Sequence, residues 1–103
     1  MMDKRILGSI GLCAKAGKLI FGVPMIIEAM QKGKKLCLVL EAGDTSDNTH
    51  KKITDKCTFY GIEKIRLDFD GAALAAAVGK SSSLAAVAIT DEGFYKMVSK
   101  YFN

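Results

Sequence analysis

Hydrophobic residues recur at helical spacing at the start of the chain. Ile6, Leu7, Ile10, Cys13 and Ala14 share one face, Asp3 stands where a cap belongs, and Gly17 supplies a stop. Lys18 to Phe21 reads as a short strand, after which Gly22 permits a sharp turn and Pro24 pre-sets a helical φ. The second helix is therefore expected from about Pro24 to Lys32, with Gly33 as its stop. At 100° per residue Ile26, Ala29 and Met30 point inward, Met25 and Ile27 flank them, and Pro24, Glu28, Gln31 and Lys32 face outward.

Leu36 to Glu41 is almost continuously apolar, the pattern of a central strand covered on both faces. A third helix follows, capped by Thr45 or Ser46, with a narrow stripe of Ile53, Cys57 and Tyr60 and a stop at Gly61. Lys64 to Phe69 alternates, placing Ile65, Leu67 and Phe69 on one side of a strand. A small-residue helix lies between Gly71 and Gly79. Leu84 to Ile89 reads as a second buried strand whose alanines permit close packing of a helix. Thr90 is expected to cap the last helix, with Asp91 and Glu92 in its first turn and Phe94, Val98 and Tyr101 as its core stripe. Helix and strand thus alternate from end to end, the order of an α/β sheet sandwiched between helices. The loops are short and no linker interrupts them, so one domain is expected over residues 1–103.

Composition narrows the function. Half of the 103 residues are hydrophobic, enough for a packed core, yet no apolar run approaches the about 18 residues that span a bilayer. Gly8, Gly11 and Lys15 interrupt the first segment, which does not read as a signal peptide, so a cytoplasmic protein with no membrane partner is expected. Cys13, Cys37 and Cys57 are odd in number and lack a C-x-x-C pair; they read as small core residues, not as a disulfide or zinc framework. The net charge of +4 is uneven: residues 1–56 hold ten Lys/Arg against six Asp/Glu, and residues 57–103 hold five of each. An excess confined to one half points to an anionic partner such as RNA.

Catalytic chemistry is sparse. His50, the only histidine, lies among Thr49, Lys51 and Lys52 with no evident partner, and Asp44, Asp47 and Asp55 read as turn, cap-region and helix-surface residues. Gly22 to Gly33 holds neither G-x-G-x-x-G nor G-K-[ST]. No enzyme, metal or cofactor is expected. A binding site is better supported, because strand-to-helix loops gather at one edge of an alternating sheet and bring Gly22–Pro24 beside Ala42–Ser46.

The stretches "AGKL", "DTSDNTHKKITDKC" and "AVAITDEGF", in this order and spacing, resemble the L-seven-Ae ribosomal-protein family, in particular its small bacterial YlxQ-type branch. The resemblance runs over nearly the whole chain. It implies a three-layer α/β/α sandwich around a four-stranded mixed sheet, and binding of kink-turn RNA in ribosomal or other ribonucleoprotein particles. The family's RNA readers are a glycine followed by Thr-Asn-Glu at the start of helix two, a Lys one turn on, a Glu before the third helix, and a hydrophobic loop leading to the last strand. Gly22 keeps the glycine. Val23, Pro24, Met25, Glu28 and Gly43 stand where the family carries Thr, Asn, Glu, Lys and Glu. Pro24 has no polar side-chain atom and no N–H, Met25 can only pack, and Glu28 would repel a phosphate.

The resulting expectation is an RNA-binding protein of ribosomal type, acting near the translation apparatus on ribosomal or other structured RNA. Its site is the edge made by Gly22, Val23, Pro24, Met25, Glu28, Gly43, Asp44 and Thr45. The loop Gly79 to Leu84, including Ser82, closes that edge, and Lys15, Lys18 and Lys32 supply phosphate contacts. Binding would be chiefly phosphate-driven, or would read another RNA shape with Val23 and Met25 packing on a base. The alternative is a protein-interaction module in which Val23, Pro24 and Met25 form an apolar patch, with ribosomal or translation proteins as partners.

Overall fold

The computed structural model describes residues 2–102. Nine elements follow in strict alternation: α1 (Arg5–Lys15), β1 (Leu19–Phe21), α2 (Val23–Gln31), β2 (Leu38–Glu41), α3 (Asp47–Tyr60), β3 (Lys64–Arg66), α4 (Gly71–Ala77), β4 (Ala86–Ile89) and α5 (Glu92–Ser99). The four strands form one mixed sheet in the order β1-β4-β2-β3. β4 pairs antiparallel with both β1 and β2, and β2 pairs parallel with β3. All residues of the two central strands are buried, as a continuous apolar run requires.

Alternation along these strands separates two cores. Leu38, Leu40, Val87 and Ile89 pack with Ile6, Ile10 and Cys13 of α1, Leu74 of α4 and Val98 of α5. Val39, Ala86 and Ala88 face the other way and meet Ile26, Ala29 and Met30 of α2 and Ile53 and Cys57 of α3. This is a three-layer α/β/α sandwich: α1, α4 and α5 cover one face, α2 and α3 the other. Ala86 and Ala88 are the small residues over which α2 comes close to the sheet. Burial pushes the Cys13 and Cys57 thiols up to about 11, as befits inert core residues.

Several boundaries differ from those expected. Each strand is shorter than the stretch expected for it; β3, for example, ends at Arg66 and not at Phe69. α3 is capped by Ser46, which accepts from Thr49 N–H, while Thr45 turns its hydroxyl inward. Asp91, not Thr90, caps α5: its carboxylate accepts from Phe94 N–H, whereas Thr90 hydrogen-bonds the Lys18 carbonyl. Tyr60 is exposed rather than part of the α3 stripe, because the buried face of that helix ends at Cys57. Asp3 does act at the start of α1, its carboxylate accepting from Arg5 N–H at 2.9 Å.

Candidate nucleic-acid interface

β1 and β2 both run antiparallel to β4, so they are parallel to each other and deliver α2 and α3 from the same sheet edge. The start of β4 ties that edge together. Gly22 N–H donates to Ala86 O at 2.9 Å, and Ala42 N–H donates to Ala85 O at 2.8 Å. Gly22 has φ 86° and ψ 146°, a conformation essentially restricted to glycine, which lets the strand turn at once into the helix. As the N-cap it offers no side-chain acceptor. Pro24, at the second helical position, has no N–H to satisfy, and among the described residues no side chain accepts from the Val23 or Met25 amide. An open helix start of this kind carries the positive end of the helix dipole.

The open hollow over that start is lined by Gly22, Val23 and Pro24 from α2, Thr49 and Lys52 from α3, and Ser83 to Ala85 before β4. The loop is anchored: Leu84 N–H donates to Gly71 O at 3.1 Å, and any side chain at Gly71 would meet the Leu84 carbonyl at 2.8 Å. Loop and helix starts are thus held in one place by backbone bonds.

The residues expected at the site divide. Gly22, Val23, Pro24 and Leu84 line the hollow, and Ser82 stands next to it in the loop, exposed. Val23 belongs to the α2–α3 core and shows little of its side chain, while Met25 is 54% exposed. Gly43 and Asp44 line a separate hollow beside residues 66–70. Gly43 N–H donates to Phe69 O, and the Asp44 carboxylate accepts from Gly71 N–H at 2.8 Å. A Cβ on Gly43 would stand 2.5 Å from the Leu67 carbonyl, so this position has no room for the family's glutamate.

The expected cations are also dispersed. Lys18 lies at the opposite edge of the sheet, where its carbonyl accepts from Thr90. Lys32 follows the last turn of α2, far from the helix start, and pairs with Glu28 at 3.0 Å. Lys15 lines a hollow with Phe21, Gly79 and Lys80 on the α1–α4 face, where the Lys80 ammonium stands 4.6 Å from the Phe21 ring centre. The cation the structure does bring to the hollow is Lys52. Sequence reasoning passed over it because half of the residues from Asp47 to Lys56 are charged, and only the helix's orientation singles one out.

Beneath the start of α3 lies Glu41, wholly buried at the end of β2. Its carboxylate is 2.6 Å from Lys64 Nζ, 2.7 Å from His50 Nδ1 and 3.8 Å from Arg66 Nε, and it accepts a short hydrogen bond from the Thr45 hydroxyl. Burial pushes its pKa up, but the hydrogen bonds from Lys64, Thr45 and His50 outweigh that and hold it below the usual carboxylate range. His50 is thereby a structural partner of Glu41. Among the described residues, no group of three or more His, Cys, Asp or Glu is placed to hold a metal ion, and no helix is long and apolar enough to cross a membrane.

Five helices around a four-stranded mixed sheet, with helix starts and a basic side chain gathered at one edge, make up a small α/β binding fold. The chain belongs to the Ribosomal protein L7Ae/L30e/S12e/Gadd45 family, which matches residues 4–99. It is 36% identical to the RNA-binding protein YlxQ of Bacillus subtilis (strain 168) over 86 residues, 82% of each chain. It is 34% identical to the RNA-binding protein YlxQ of Enterococcus faecium, over 90% of this chain and 86% of that one. The structure of a Bacillus halodurans C protein of unknown function superposes with a TM-score of 0.85 at 28% identity, covering 96% of this chain and 97% of the other. The Giardia lamblia 15.5kD RNA binding protein shares the fold, with a TM-score of 0.76 at 18% identity over 94% of this chain and 81% of that one.

Proposed function

We propose that this chain binds structured RNA of the ribosomal or kink-turn-like kind, in the cytoplasm near the translation apparatus. The edge at the start of α2 is its contact surface, and the role is binding rather than catalysis. One observation carries the reading: the uncapped amides of α2, Lys52 of α3 and the anchored loop before β4 share a single hollow, in a member of a family whose relatives are named RNA-binding proteins. Backbone N–H groups and an ammonium suit phosphate oxygens. With Pro24, Met25, Glu28 and Gly43 in place of polar and basic readers, base-edge recognition is weak and RNA shape decides. The burial of Val23 leaves only Pro24 and Met25 for an apolar patch, too small for a protein interface of ordinary size.

The test is fluorescence anisotropy with a labelled kink-turn hairpin and a straight duplex of the same length, titrated at salt between about 50 and 200 mM. Binding that weakens steeply with salt and favours the kinked RNA supports the reading. No binding of either RNA at the lowest salt would sink it.

A further inference from the structure

The outer face of α3 carries an arrangement that core packing does not explain. Phe59 is 79% exposed, far more than any other large hydrophobic side chain among the described residues. The helix buries Ile53 and Cys57, so Phe59 adds nothing to the core. Its ring stands edge-on to Tyr60, with centroids 4.9 Å apart and planes at 85°. Lys52, Lys56 and Phe59 follow at helical spacing on one stripe and line a common hollow with Asp55. Asp55 is already neutralised by Lys51 at 2.8 Å, whereas Lys52 and Lys56 have no ion-pair partner among the described residues. Lys52 also lines the hollow at the start of α2, so the two surfaces are continuous.

Resting on the RNA-binding reading above, we propose that this stripe extends the interface. Lys52 and Lys56 carry the RNA backbone along α3, and Phe59 stacks on an unpaired base about 18 Å along the helix from Asp47. Two cations followed by an exposed aromatic ring fit a single-stranded extension: every base has a π-face, and its phosphates can meet the ammonium groups. An apolar protein surface would instead have to desolvate two unpaired lysines around one ring pair, well short of the about 800 Å² per partner of a stable interface.

The chain contains no tryptophan, so Phe59→Trp installs a single indole reporter at the stripe. The full-length variant is titrated with a kink-turn hairpin bearing a single-stranded tail of about eight nucleotides, and with the same hairpin blunt-ended. Quenching of indole emission by the tailed RNA alone is expected, together with a loss of about tenfold in affinity for that RNA, and little for the blunt one, in Phe59→Ala. Unchanged emission on saturation with tailed RNA, and wild-type affinity in Phe59→Ala, overturn the stripe while leaving the RNA-binding reading intact. A blue shift on raising protein concentration without RNA assigns the ring to contact with a second copy and also overturns it. Failure of the wild-type chain to bind either hairpin overturns both.

Discussion

The ammonium of Lys64 reaches the buried carboxylate of Glu41 at 2.6 Å across the parallel pair of β2 and β3, from two positions before the register partner Arg66. The same carboxylate holds Thr45 and His50, so one anion fastens an edge strand, the loop after β2 and the first turn of α3. Lys52 sits half a turn beyond His50, and its position over the hollow depends on that anchorage. Replacing Glu41 by Gln removes the charge and leaves Lys64, whose side chain is only 13% exposed, without a counter-ion. A loss of about 3 kcal/mol is expected, lowering Tm by roughly 10–20 °C. Urea denaturation of Glu41→Gln, Lys64→Met and the double variant checks it: the double variant should recover part of the loss, because no buried ammonium is then left unpaired and Arg66 is exposed enough to be solvated.

The same carboxylate gives stability a pH dependence. Its native pKa lies below that of an unfolded glutamate, so its contribution is complete above the ordinary value of about 4.3 and is lost as pH falls toward the native value. Wild-type urea midpoints should fall with acid below about pH 5, and those of Glu41→Gln should fall less steeply over that window. Parallel curves for the two proteins would mean that Glu41 is not held in the anionic form by its partners.

Layering and helix positions were legible because periodicity reports which face is buried. Ile26, Ala29 and Met30 point inward as their spacing requires, and the four buried residues of β2 and of β4 lie in the centre of the sheet. The ends of elements were not, since a residue can be apolar without a ladder partner: Leu36 is buried yet precedes β2. Tyr60 keeps the helical spacing of Ile53 and Cys57, but the buried face of α3 ends at Cys57. Glu41 was hidden for a different reason. Its partners come from 4, 9 and 23 residues away, and it reads locally as the polar end of an apolar strand. A signal did exist: Lys64 and Arg66 alternate with Ile65 and Leu67, so β3 turns two cations toward the α3 side, and a buried cation requires an anion. The dispersal of Lys18 and Lys32 followed from strand direction and helix length, which residue type does not encode.

Gly22 sets the angle at which α2 leaves the sheet, in a conformation that a Cβ disfavours. Gly22→Ala should therefore cost about 1–3 kcal/mol, although the only heavy atom near the added carbon is the Pro24 side chain at 4.0 Å. The loss would be conformational rather than steric. It would be read as a lowered urea midpoint with an unchanged m-value, and it should be accompanied by weaker RNA binding as the α2 amides shift.

At Gly43 the obstacle is space. A side chain there runs into the Leu67 carbonyl at 2.5 Å, a backbone atom that cannot swing aside. Installing the family's glutamate with Gly43→Glu should consequently lower stability by about 1–3 kcal/mol and leave RNA affinity no better than that of the wild type. A Gly43→Glu protein of wild-type stability with tighter, kink-turn-selective binding would show that the loop can open to seat a reader.

Two lysines of equal charge make the sharpest test of where the interface lies. Lys52 lines the hollow at the start of α2, whereas Lys32 follows the other end of that helix and is paired with Glu28. If phosphates settle on the hollow, Lys52→Glu should weaken binding about tenfold or more and reduce the slope of log K against log salt by about 1. Lys32→Glu should alter affinity far less, because Lys32 touches no phosphate and its carboxylate partner already cancels much of its field. Charge alone cannot produce that difference, since both substitutions change the net charge by the same amount. Equal losses from the two variants would mean that RNA is held by the diffuse field of the basic half of the chain and not by this edge.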